Sequence, residues 1–67
     1  MSYYSGKMLM HTRNNFVAKY EFFLLRALKE SETSDEAGEL MEKYIDNRIL
    51  IFVDWNSSEQ CWVEVSE

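Results

Sequence analysis

Ile49-Leu50-Ile51-Phe52-Val53, bracketed by Arg48 and by Asp54-Trp55, is the stretch on which the fold turns. Five apolar residues in a row, β-branched or aromatic apart from Leu50, end in a cluster of turn formers. A run this short and this apolar reads as a β-strand covered on both faces. In so small a chain, helices cover one side, and a partner or a second strand layer covers the other.

Downstream of that strand, placed at 48–55, Asn56-Ser57-Ser58-Glu59 reads as a four-residue turn. Gln60 to Val65 then alternate. Cys61, Val63 and Val65 point one way, Gln60, Trp62 and Glu64 the other, as in a half-exposed antiparallel strand closing a hairpin. Ile49, Ile51 and Val53 are expected to join Cys61, Val63 and Val65 under the helices, with Cys61 buried as a small hydrophobe. Leu50, Phe52 and Trp62 are expected on the face away from them, as a contact surface for a partner or a second copy.

Upstream, Ala37, Leu40, Met41, Tyr44 and Ile45 fall on one helical face. Thr33 with Glu36 forms a capping box at the start of that helix. Asn47 suits a left-handed cap at its end. Gly38 weakens the helix interior and is expected to allow a close approach to the preceding helix. That preceding helix is predicted over 15–30, from Phe16, Tyr20, Phe23, Leu24, Ala27 and Leu28, with Asn14 or Asn15 as its cap and Val17 and Leu25 widening its apolar face. Phe22 falls off this face beside Arg26 and Lys29, either against the N-terminal segment or as an anchor for a partner. Residues 7–12 read as an edge strand or as an arm lying over the core, and the turn formers Ser5-Gly6 before them and Arg13-Asn14-Asn15 after them favour the strand. The expected fold class is α+β: two antiparallel helices packed on a small antiparallel sheet, built from the C-terminal β-hairpin and a third, N-terminal strand, in a single compact domain.

The 67 residues include 46% hydrophobic and 15% aromatic residues, too many for a disordered chain and rich for so small a core. The surplus implies exposed apolar area, which usually marks an interface. One cysteine excludes an intrachain disulfide. The chain shows no secretory signal and no run near the roughly 20 residues that span a bilayer, so a cytoplasmic protein without membrane contact is expected. Net charge is −5, unevenly placed. Residues 1–31 carry Lys7, Arg13, Lys19, Arg26 and Lys29 against Glu21 and Glu30, a net of +3, while residues 32–67 carry Lys43 and Arg48 against ten acids, a net of −8.

No catalytic constellation is legible. His11 is the sole histidine and lies 50 residues from Cys61. That pair is not a metal site, which needs several ligands at close spacing. A glycine-rich phosphate loop is excluded by two glycines. A deep pocket is not expected in a chain of this size. The reading is therefore non-enzymatic, without cofactor or metal.

Asp35, Glu39, Glu42 and Asp46 repeat at four, three and four along the second helix, a stripe rising about 5–6 Å per step. As structure it is a solvated helix face. As function it resembles the anionic row of one nucleic-acid strand, a decoy for the basic cleft of a nucleic-acid-binding protein. The basic N-terminal half, with Tyr3, Tyr4 and Phe22 interleaved, suggests nucleic-acid contact instead. Two helices and a hairpin also resemble a winged helix-turn-helix in topology, but an acidic second helix would be repelled from a groove. The expected function is protein binding, as an inhibitor or modulator of a host protein. In size and compactness the chain resembles the small accessory proteins of phages and mobile elements. The alternatives are a self-associating structural subunit, including a homodimer, and a nucleic-acid binder.

Overall fold

A computed structural model describes residues 6–65. The elements run β1 (Met8–His11), β2 (Phe16–Lys19), α1 (Tyr20–Lys29), α2 (Ser34–Asp46), β3 (Leu50–Asn56) and β4 (Cys61–Glu64). The strands form one antiparallel sheet in the order β2-β1-β3-β4, so the fold is α+β.

The N-terminal third differs from the helix predicted over 15–30. Residues 16–19 are a strand, and α1 begins only at Tyr20. The asparagines expected to cap a helix close a hairpin instead. Asn15 takes a left-handed φ of 58° and Asn14 Oδ1 accepts the Phe16 N–H at 3.0 Å. Asparagine tolerates that conformation and bonds its own backbone locally, which suits a turn. Lys19 is left as the N-cap of α1, with no side-chain cap bond. The added strand makes β1 internal rather than an edge, paired with β2 on one side and β3 on the other.

α2 keeps the expected N-cap, with the Thr33 hydroxyl accepting the Glu36 N–H at 3.1 Å, but the other half of the box differs, since Glu36 Oε2 accepts the Glu32 N–H at 3.4 Å rather than that of Thr33. It ends differently. Asn47 keeps a φ of −87°, and Arg48 is the left-handed residue at 58°. The Arg48 N–H donates to the Ile45 carbonyl and the Ile49 N–H to the Tyr44 carbonyl, at 3.1 and 2.9 Å. This is the paired bonding of a Schellman stop, which satisfies the last helical carbonyls and turns the chain into β3.

Both helices cover one face of the sheet. Tyr20, Phe23 and Ala27 of α1 and Ala37 and Met41 of α2 are buried with Leu9, Leu50 and Phe52. The expectation that Leu50 and Phe52 face away is therefore corrected: they are 2% and 6% exposed, beneath the helices. Trp62 does lie on the other face. A four-residue turn, Ser57 to Gln60, sets Trp55 opposite Trp62 and Val53 opposite Glu64. Directly opposed residues share a face, so Trp62 belongs with Ile51, Val53 and Trp55. Cys61 shares the helix-covered side but sits at the turn end and is exposed, not buried. Leu25, expected in the helix interface, points outward at 61% exposure. Gly38 makes no close approach, since a Cβ there would meet nothing within 4 Å.

Candidate binding surfaces

Three surfaces emerge, one on the outward sheet face, one on α2 and one where the turn of β1–β2 meets the helices. The outward face follows from strand alternation. Met8, Met10, Val17 and Ile51 are half-buried there, and Val53 is buried. Its open end is the β3–β4 turn, where Trp55 is 53% exposed and meets Trp62 edge-on, with centroids 5.4 Å apart and planes at 72°. The hairpin that holds this pair is closed by Asn56 Oδ1, which accepts the Glu59 N–H at 3.0 Å, and by Gln60 at φ 55°.

Beside the tryptophans, the Arg48 guanidinium donates to Glu64 Oε1 at 2.7 Å. That hydrogen bond, with the opposite charge behind it, holds the Glu64 carboxyl below its ordinary range and raises Arg48. Both groups are open to water, so the pair is screened and contributes little to stability. The pair ties the helix stop to β4.

On α2, Asp35, Glu39, Glu42 and Asp46 are all exposed, and none forms an ion pair among the described residues. The stripe is therefore real as geometry. Phe22 lies elsewhere, on the flank of α1, 41% exposed. Its ring meets Phe16 and Phe23 at 5.5 and 5.6 Å, and the Arg26 guanidinium stands 5.9 Å from its centroid. Phe22 thus packs on β2, and on Arg26 by cation–π attraction. Tyr3 and Tyr4, the other aromatics of the basic half, lie outside the described residues.

The third surface was not expected from chain length. A cleft of about 460 Å³ opens between the β1–β2 turn and the helices. Arg13 and Asn14 of the turn and Phe16 of β2 form one wall, and Phe23 and Arg26 of α1 with its C-cap Glu30 another. Tyr44 of α2 and Ile49, in the link to β3, close it. Thr12 ties the turn to the segment after α2: its hydroxyl donates to the Arg48 and Ile49 carbonyls at 2.8 and 3.2 Å, and its N–H to the Ile49 carbonyl at 2.9 Å. His11 also lines the cleft, and its Nδ1 is shut off from solvent with no hydrogen-bond partner. Phe16 and Trp55 escaped the sequence reading as surface residues, and Arg13 entered it only as part of the basic N-terminal half, because their placement depends on strand pairing. The two tryptophans flanking a turn were the one signal that pointed to Trp55.

No helix among the described residues is long and apolar enough to cross a membrane, and no described group of three or more histidines, cysteines or acids is placed to hold a metal ion. No family model, curated protein or solved structure matches the chain.

Proposed function

We propose that the chain is a non-enzymatic protein-binding module that modulates its partner by occupying it, with Trp55 and Trp62 at the centre of the contact. The observation that supports this is the tryptophan pair, half open to water at the end of a sheet face on which neither helix packs. Tryptophan is enriched among residues that dominate binding energy, because it buries a large rigid area at little entropic cost. A catalytic reading has less support. His11, in the cleft, has no hydrogen-bonded acid or nucleophile among the described residues, whereas general-base chemistry needs such a partner within reach.

A second reading rests on the four exposed acids of α2, which suit the basic site of a nucleic-acid-binding protein. The two readings differ in salt dependence. Capture from the native host, with partners identified by mass spectrometry, is to be run with the wild type, with Trp55→Ser/Trp62→Ser, and with Asp35, Glu39, Glu42 and Asp46 changed to lysine. Loss of a stoichiometric partner in the tryptophan variant, with tolerance of the lysines and little salt effect, supports the sheet face. Loss in the lysine variant, with association falling steeply as salt rises, supports the acidic stripe. Sedimentation of the purified chain completes the test. A dimer that the tryptophan variant abolishes makes the partner a second copy. Binding that survives both variants overturns both surfaces.

A further inference from the structure

We propose that the cleft between the β1–β2 turn and the helices binds a small monoanionic carboxylate carried on a planar aromatic body. Its volume of about 460 Å³ lies within the roughly 300–1,000 Å³ of small-ligand sites. One side of it is fixed, because the Thr12 bonds to the Arg48 and Ile49 carbonyls tie the β1–β2 turn to the link between α2 and β3. A preformed wall reduces the ordering cost of binding.

The lining determines the ligand class. Arg13 and Arg26 approach from different elements, and neither forms an ion pair among the described residues. A guanidinium presents a planar fork of donors that matches a carboxylate. Glu30 is the acid of the lining, so the charges of its two arginines and its acid sum to one positive. A carboxylate neutralises that charge. A phosphate monoester, with a charge of about −1.5 to −2, would place surplus negative charge beside Glu30. Phe16, Phe23 and Tyr44 supply aromatic surface from three elements. Phe16 and Phe23 already stand edge to face at 6.0 Å, the arrangement a flat ring extends by stacking. The acidic stripe of α2 and the net charge of −5 act against a long polyanion but little against a small one, whose field is screened beyond a Debye length of about 8 Å. The cleft opens on the helix-covered side of the sheet, opposite the tryptophans, so it stands or falls separately from the protein-binding reading.

The test is an amide NMR titration of the full chain with 2-naphthoate, 2-naphthamide and 2-naphthyl phosphate. Naphthoate is expected to shift the amides of Arg13 to Phe16 and of Ala27 to Glu30 saturably. The neutral amide, and naphthoate with Arg13→Gln/Arg26→Gln, are each expected to bind at least about tenfold more weakly. Both arginines are exposed, so that variant keeps its fold, as its own spectrum will show. The proposal is overturned if naphthoate gives no saturable shifts up to about 10 mM. It is equally overturned if the amide binds as well, or if the shifts centre on Trp55 and Trp62. Tighter binding of the phosphate would overturn the monoanion assignment.

Discussion

Gly38 sits inside α2 with open space where a side chain would be. In a helix interior glycine costs about 0.5–1 kcal/mol relative to alanine, because the unfolded chain loses more freedom on folding. Gly38→Ala is therefore expected to stabilise the protein by about that amount, raising the melting temperature by several degrees. Urea unfolding with an unchanged m-value is the check, and a drop in stability would mean that the site holds a contact. Arg48 poses the converse case, a branched-free but non-glycine residue held at positive φ. Its guanidinium is paired with Glu64. The Glu64 pKa is lowered in the folded state, so the pair's contribution is complete above the unfolded value of about 4.3 and is lost as pH falls through the lowered folded value. The wild type should therefore exceed Glu64→Gln in stability at neutral pH by a small margin that closes in that acid range. A margin that persists at the acid end would assign the effect to packing instead.

At the scale of elements, the N-terminal hairpin shows how a period misleads. Phe16, Tyr20, Phe23, Leu24 and Ala27 have helical spacing, yet Phe16 to Lys19 pair with β1 residue by residue. Tyr20 belongs to both patterns: its N–H still bonds the Lys7 carbonyl at 2.7 Å while its side chain is buried in the first turn of α1. The start of α2 was legible because its signal is local. Thr33 and Glu36 are three residues apart and need no distant partner. Thr33→Ala leaves the Glu36 N–H without that acceptor and should cost about 0.5–2 kcal/mol. Thr33→Ser should restore most of it. Equal loss in both, measured by denaturation, would show that the cap hydroxyl is not what matters.

At the scale of the molecule, the core is a single layer between two helices and one sheet face, and its members are unequal. Met41 and Phe23 are buried, whereas Leu40 only packs against the cluster from a half-buried position. Met41→Ala or Phe23→Ala is expected to cost about 2–5 kcal/mol, close to all the stability a domain of this size holds. Loss of the cooperative thermal transition by circular dichroism is the readout. Leu40→Ala should retain a transition at lower temperature. An undiminished melt for Met41→Ala would show that α2 is not seated on the sheet in this way.

The α+β class, the second helix with its N-cap, the C-terminal hairpin and the exposure of the acidic stripe were legible in the chain, because each rests on residues within a turn or two of one another. Tertiary structure alone decided the rest. The apolar run 49–53 is hydrophobic on both sides, so its composition does not say which side the helices take. Pairing with β1 and seating beneath α1 and α2 put Leu50 and Phe52 inside and left Ile51, Val53 and Trp55 on the other face. The cleft likewise joins residues from His11 to Leu50 that lie on three strands, both helices and the links between them. No spacing in a linear sequence records such a meeting, because it exists only once long-range strand pairing has closed the loops between them.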